Sequence, residues 1–179
     1  EKVTGIARRA DRLAALEKSL NGFAGQACDV TDAAGMDKAV QAAIAAQGPI
    51  DVAFLNAGMY IPQDGTAIDP AVYEQHMAVN YMGVVNALAA ITPGMIAAGG
   101  GKIVIISSVA GWRGLPKSAA YGPTKAALIS LAESLHFDLT PKGIALQVIC
   151  PGFVETEATA VNEFEMPGLM SPDAAAAEI

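Results

Sequence analysis

Residues 102–125, KIVIISSVAGWRGLPKSAAYGPTK, hold the features that decide the fold. The four consecutive β-branched residues 103–106 predict a buried strand over residues 102–107. A loop with two glycines and a proline follows, and the Ala- and Leu-rich stretch after it predicts a helix over residues 118–139. A short apolar strand followed by a helix is typical of the βαβ units that build a parallel sheet.

The same alternation of short apolar runs and longer helical patterns continues on both sides of this stretch. Further strands are predicted at residues 3–7, 24–28, 52–55 and 145–150. Further helices are predicted at residues 11–20, 31–47, 70–97 with a bend near Pro93, and from Ser171 onward. These elements predict a single α/β domain over residues 1–179, built on a doubly wound parallel sheet.

Composition excludes several classes of protein. The 179 residues are 53% hydrophobic and 16% charged, which excludes a disordered chain. A net charge of −7 argues against binding nucleic acid or an anionic membrane through a basic surface. No run of about 18 consecutive apolar residues predicts a membrane span. Cys28 and Cys150 lie far apart and are expected to be free thiols, which fits a cytoplasmic protein, and no metal site is expected.

Tyr121 and Lys125 are four residues apart in the predicted helix, so their side chains share one face. A nearby ammonium favours the phenolate and lowers the pKa of a tyrosine, which makes such a pair suitable for proton transfer near neutral pH. Taken alone, the pair is equally typical of a half-buried tyrosine beside a solvated lysine. Ser108 directly follows the strand predicted at residues 102–107. Its position favours the catalytic interpretation, because ligands bind at the carboxyl edge of such sheets.

With these three residues in this order, the chain resembles the short-chain dehydrogenase/reductase family, and the match runs nearly end to end. The resemblance implies a Rossmann-like, three-layer αβα fold. It implies catalytic roles for Asn80, Ser108, Tyr121 and Lys125. In that family the tyrosine exchanges a proton with the substrate oxygen, the serine fixes that oxygen, the lysine binds the nicotinamide ribose, and the asparagine holds a proton-relay water. Asn80 on its own could equally be a kink residue of a helix.

The resemblance also implies a nicotinamide cofactor. Its expected contacts are Asp29 and Val30 at the adenine, Asn56, Ala57 and Gly58 along the cofactor, Tyr121 and Lys125 at the nicotinamide end, and Pro151, Gly152 and Thr156 around the carboxamide. Two of these assignments have ordinary alternatives. Asp29 could simply cap a helix, and Pro151-Gly152 could simply form a turn.

The choice between NADP(H) and NAD(H) depends on the end of the first strand. In the family an acidic residue there binds the ribose diol of NAD(H), and this sequence has Arg8 and Arg9 instead. Because arginine matches phosphate geometry, we expect NADP(H) to be preferred over NAD(H), with Arg8 at the 2′-phosphate. The alternative is a solvated basic turn.

The family's TGxxxGxG loop, which cradles the pyrophosphate at a helix N-terminus, does not occur in this sequence. We therefore expect that the family's first strand and helix are missing from this sequence. The family's C-terminal strand is also expected to be missing, so we expect the 179 residues to be a portion of a longer protein. In the family the missing first strand lies between the strands predicted at residues 3–7 and 52–55.

The expected activity is hydride transfer between NADP(H) and a small-molecule carbonyl or secondary alcohol. Alternatives are a cofactor sensor without activity and an epimerase or dehydratase on the same fold. The expected pocket walls are apolar: Met59, Trp112, Leu115, Phe153, Met166 and Met170. A homodimer or homotetramer is expected through Leu128, Leu131, Leu135 and Leu139, unless that stripe packs on its own sheet. His76 and His136 match no motif.

Overall fold

The computed structural model describes residues 2–162 and 164–179, in which strands and helices alternate. The strands are β1 (Val3–Ala7), β2 (Phe23–Ala27), β3 (Val52–Leu55), β4 (Gly101–Ile106) and β5 (Ile144–Ile149). The helices are α1 (Ala10–Ser19), α2 (Ala33–Gln47), α3 (Pro70–His76), α4 (Gly83–Ala97), α5 (Gly122–Leu139) and α6 (Pro172–Ala177), and a π-helical segment, Met77–Met82, joins α3 to α4.

All of the strand pairings are parallel, as predicted. β1 pairs with β2, and β3, β4 and β5 pair in that order. Among the described residues, β1 and β3 do not pair with each other. Within each of the two groups of strands the pairing is parallel throughout. The prediction of a Rossmann-like parallel sheet is therefore confirmed.

The main core lies between β3, β4 and β5 and one layer of helices formed by α2, α4 and α5. Ile103, Ile105 and Leu128 are completely buried in it. α1 covers the opposite face, because Leu13 of α1 packs directly over Gly5 and Gly25, whereas Ile6 points toward the main core. Helices on both faces of a parallel sheet give the predicted three layers.

Two details of the prediction were wrong. α5 begins at Gly122 rather than at residue 118, because Ser118 to Tyr121 form turns in which the Ser118 carbonyl accepts from the Tyr121 and Gly122 amides. The helix over residues 70–97 runs through Pro93 as regular α-helix, and its irregular turn is Met77–Met82 instead.

By its length and composition alone, the helix over residues 70–97 is also long and apolar enough to cross a membrane. Its buried apolar side chains, including Val84, Leu88 and Met95, belong to the hydrophobic core, as in the core helix of a globular fold, whereas Met77, Met82 and Ile96 are exposed. The leucine stripe of α5 is likewise used internally. Leu128 and Leu139 belong to the core, and Leu131 and Leu135 pack against it, so the alternative stated for this stripe holds.

Candidate active site

The carboxyl ends of β3, β4 and β5 bring the predicted catalytic segments together. Ser107 and Ser108 follow β4, and the Ser107 amide donates to the Ile149 carbonyl at the end of β5 (2.8 Å). The Val109 amide donates to the Pro151 carbonyl (3.1 Å), which ties the loop after β4 to the loop after β5. This edge is where open parallel sheets bind ligands.

Lys125 is buried at this edge, with only 3% of its surface exposed. Its Nζ donates to the Ile106 carbonyl at the end of β4 (2.8 Å), and the Ser107 hydroxyl donates to the Lys125 carbonyl (2.8 Å). Burial lowers the pKa of Lys125 to about 8, although Cys150 acts in the opposite direction. The alternative of a solvated lysine beside Tyr121 is therefore wrong.

Tyr121 lies immediately before α5, and its ring centroid is 5.6 Å from the Lys125 Nζ. Burial raises the pKa of the Tyr121 phenol above its ordinary value, the Ser108 hydroxyl lowers it through a hydrogen bond, and Tyr60 raises it further. The expected lowering of this pKa by Lys125 is not found: burial is the largest influence on the phenol, and the Lys125 ammonium is directed to the Ile106 carbonyl. The phenol is protonated at neutral pH, the form that can donate a proton.

Asn80 is completely buried and connects the loop after β3 to the start of α5. Its Oδ1 accepts from the Met59 amide (2.7 Å), and its Nδ2 donates to the Met59 carbonyl (3.0 Å) and to the Thr124 hydroxyl (3.1 Å). Thr124 in turn donates to the Tyr121 carbonyl (2.6 Å). The side chain of Asn80 is thus a structural link within the site, and a water held near it stays a prediction.

Two residues outside the motifs also belong to this site. His76 is completely buried, its Nδ1 donates to the Val72 carbonyl (2.7 Å), and its Nε2 accepts from the Ile61 amide (3.1 Å). Tyr60 places its ring edge-on against Tyr121, with the centroids 5.4 Å apart. Sequence reasoning missed both residues, although the spacing of His76 four residues before Asn80 on one helix was an available signal.

The residues expected at the adenine end lie at the ends of β1 and β2. Arg8 is 3.9 Å from Asp29, and both side chains are largely exposed. Asp29 Oδ1 accepts from the amide and the hydroxyl of Thr31, and these hydrogen bonds lower the pKa of Asp29. The residue that caps α2 is Asp32 rather than Asp29. Asp29 therefore shapes a turn, which leaves it close to Arg8.

Two further arginines of this region are paired with an acidic residue of the loop after β5. Arg9 and Arg12 both contact the carboxylate of Glu157, at 3.2 Å and 2.8 Å. All three side chains are exposed. The loop after β5 therefore reaches the N-terminal end of α1, where a phosphate group of a cofactor is expected.

The remaining cofactor residues are distributed along the carboxyl edge. Val30 packs on Gly83, and its carbonyl accepts from Asn86 (2.8 Å). The residues exposed at the edge are Asn56, Ala57, Gly58, Gly152 and Thr156. A Cβ on Gly58 would lie 3.5 Å from the Asn80 Oδ1 and 3.6 Å from the Lys125 Nζ, whereas one on Gly152 would meet open space.

The predicted pocket walls are not all in one place. Phe153 packs edge-on against Phe164, with the ring centroids 5.9 Å apart. The Met170 amide donates to the Phe153 carbonyl (2.9 Å), so the loop after β5 folds back on itself. Trp112 and Leu115 instead line a cavity of about 560 Å³ beside the first turn of α5. Among its described lining residues there is no predicted catalytic residue. Trp112 is 64% exposed.

Comparison with known proteins agrees with this geometry. The family model described as short chain dehydrogenase matches residues 1–166. The chain belongs to the short chain dehydrogenase family. It is 35% identical over 162 residues to the protein named uncharacterized oxidoreductase Lin0452 of Listeria innocua, covering 87% of this chain and 65% of that one.

Two further similar proteins have informative names. The chain is 36% identical over 146 residues to 2-keto-3-deoxy-L-fuconate dehydrogenase of Xanthomonas campestris, which covers 80% of this chain and 47% of that protein. A gluconate 5-dehydrogenase from Burkholderia cenocepacia, solved in complex with NADP and tartrate, superposes with a TM-score of 0.84 at 29% identity, covering 89% of this chain and 66% of that one. The chain spans less than two thirds of the length of the Listeria and Xanthomonas relatives.

Proposed function

We propose that this short chain dehydrogenase transfers a hydride between NADP(H) and a carbonyl or secondary alcohol. The observation that carries the proposal is the buried Lys125 beside the partly buried Tyr121 and Ser108, at the carboxyl edge of the parallel sheet. A cofactor sensor without activity would not need this pair and this serine together.

The chain's own residues handle the oxygen and its proton. Ser108 donates a hydrogen bond to the carbonyl oxygen, and the protonated Tyr121 gives that oxygen its proton as the carbonyl is reduced to an alcohol. When bound, the nicotinamide supplies the hydride that reaches the carbonyl carbon. Lys125 keeps a cation near Tyr121, which stabilises the phenolate left after proton transfer.

The residues at the carboxyl edge of the sheet fit the nicotinamide end of the cofactor. The backbone at Gly58 and Gly152 leaves space at the carboxyl edge near Lys125. Arg8 is the residue that would hold the 2′-phosphate of NADP(H), and it would exchange its weak pairing with Asp29 for a bidentate contact. The other cofactor contacts proposed are Asp29, Val30, Asn56, Ala57, Pro151 and Thr156.

The names of relatives support a polyhydroxylated substrate. The Xanthomonas protein is named for a deoxy sugar acid, and the Burkholderia structure holds NADP and tartrate. We therefore propose a substrate that carries hydroxyl groups beside its reacting carbon. Assembly as a homodimer or homotetramer and a cytoplasmic location stay predictions.

The test is the oxidation of NADPH by the full chain across a panel of hydroxyketones, sugar acids and simple ketones. Tyr121→Phe removes the proton donor, so we expect turnover to fall at least about 100-fold. Tyr73→Phe, a change on α3 outside the site, is the matched control and should leave turnover unchanged. A Tyr121→Phe variant with wild-type turnover, or a wild-type chain inert across the panel, would contradict the proposal.

A further inference from the structure

Tyr60 carries a buried hydroxyl that no other described residue satisfies. Its oxygen is enclosed by protein, and among residues 2–162 and 164–179 it has no hydrogen-bond partner. Buried hydroxyls are nearly always paired, because the unpaired group loses its hydrogen bonds to water without replacement. The ring lies edge-on to Tyr121 at 72° between the planes. The unpaired hydroxyl is therefore carried by a direct neighbour of the proton donor.

The backbone on both sides of Tyr60 is held by completely buried side chains. Asn80 binds both the amide and the carbonyl of Met59, and His76 accepts from the amide of Ile61. Both belong to the helix that runs from α3 into α4. A side chain whose neighbours are fixed in this way is preorganised, as the contact residues of binding sites are.

A purely structural role does not account for Tyr60. Tyr81 packs against the hydrophobic core, whereas Tyr60 is outside that cluster. If the ring alone mattered, a phenylalanine would fill the same space without leaving a buried hydroxyl unpaired. The hydroxyl is the part of the residue that requires a function.

We propose that Tyr60 is a specificity-determining residue whose hydroxyl forms a hydrogen bond with a second oxygen of the substrate, close to the reacting carbonyl. This inference rests on the proposed function. A phenol can donate to or accept from such an oxygen, and the ring centroids of Tyr60 and Tyr121 are 5.4 Å apart, so a small molecule that contacts Tyr121 lies beside Tyr60. Because the hydroxyl is closed to water in the free chain, the proposed contact requires the side chains around it to shift when the substrate binds.

The experiment compares 1-hydroxybutan-2-one with butan-2-one as NADPH-dependent substrates of the full chain. Tyr60→Phe should lower kcat/KM for the hydroxyketone about tenfold, the value of one hydrogen bond, and change that for butan-2-one less than about twofold. The thermal midpoint of this variant should not fall, because the hydroxyl that it removes has no partner in the described part of the chain. Tyr73→Phe should change neither rate constant.

The possible failures are distinguishable. Suppose that the wild-type chain reduces the hydroxyketone. If Tyr60→Phe then lowers activity equally on both substrates, or lowers it on neither substrate, the inference is overturned and the proposed function stands. A lowered thermal midpoint in Tyr60→Phe also overturns it, since the hydroxyl would then have a structural partner. A wild-type chain that reduces neither ketone, nor any carbonyl of the panel, overturns the proposed function and this inference with it.

Discussion

Replacing Lys125 with methionine should make the fold more stable at neutral pH while abolishing activity. Lys125 is buried, and its pKa is lowered from 10.5 to about 8. Below pH 8 both the folded and the unfolded chain carry the charged lysine, so the folded state bears the full penalty of burying it. A difference of about 2.5 pH units corresponds to about 3 kcal/mol. Methionine fills similar space without a charge.

The penalty should disappear as the pH rises, because between pH 8 and 10.5 the folded chain releases the proton that the unfolded chain retains. The stability of the wild type relative to Lys125→Met should therefore improve by about 2–3 kcal/mol from pH 7 to pH 10. Loss of the hydrogen bond to the Ile106 carbonyl shifts the difference by a constant and does not alter this trend.

The assay is urea denaturation of the cofactor-free full chain at several values of pH between 7 and 10. Lys38→Met, a change at an exposed position of α2, is the control and should differ from the wild type by the same amount at every pH. A difference between wild type and Lys125→Met that stays flat over this range would refute the reasoning, because Lys125 would then not be titrating within it.

Two further predictions concern the supports of the site. His76→Leu leaves the Ile61 amide without its acceptor and should destabilise the full chain by about 2 kcal/mol in the same urea assay. His76→Gln should destabilise it less, because the glutamine Oε1 can reach that amide. Equal losses of stability in the two variants would contradict the assigned hydrogen bond. Glu157→Gln frees Arg9 and Arg12 from their carboxylate and should tighten NADPH binding about two- to threefold at low salt, with little effect on NADH. An unchanged NADPH Kd in a fluorescence titration at low salt would count against a role of these arginines at the phosphate.

The strands were predictable because their signals are local. The β-branched run 103–106 and the apolar run 52–55 each end at residues that break a strand, and both strands occur within one residue of the prediction. The start of α5 was predicted too early, although Pro123 held the correct signal. Proline is favoured in the first turn of a helix, where its missing amide hydrogen is not needed, and here it is the second residue of α5.

The site was predictable only in part, since its motif residues are recognised by order and spacing while their chemistry depends on burial. Spacing predicted that Lys125 lowers the pKa of Tyr121, with a solvated lysine as the alternative. The fold instead buries Lys125 and partly buries Tyr121, and this burial lowers the pKa of Lys125 and raises that of Tyr121. Tertiary packing, which sequence spacing does not report, decides the sign of both shifts.

The two residues that sequence reasoning missed, His76 and Tyr60, are linked through one helix. His76 and Asn80 are four residues apart and contact Ile61 and Met59 in reverse order, so a single helix grips the loop after β3 at two points. The π-helical segment Met77–Met82 begins directly after His76 and contains Asn80, which also reaches across to Thr124 of α5. Departures from regular α-helix of this kind are frequent at functional sites. The irregular turn lies where one helix must hold the loop that carries Tyr60 and the helix that follows Tyr121, so the two tyrosines are positioned by the same element.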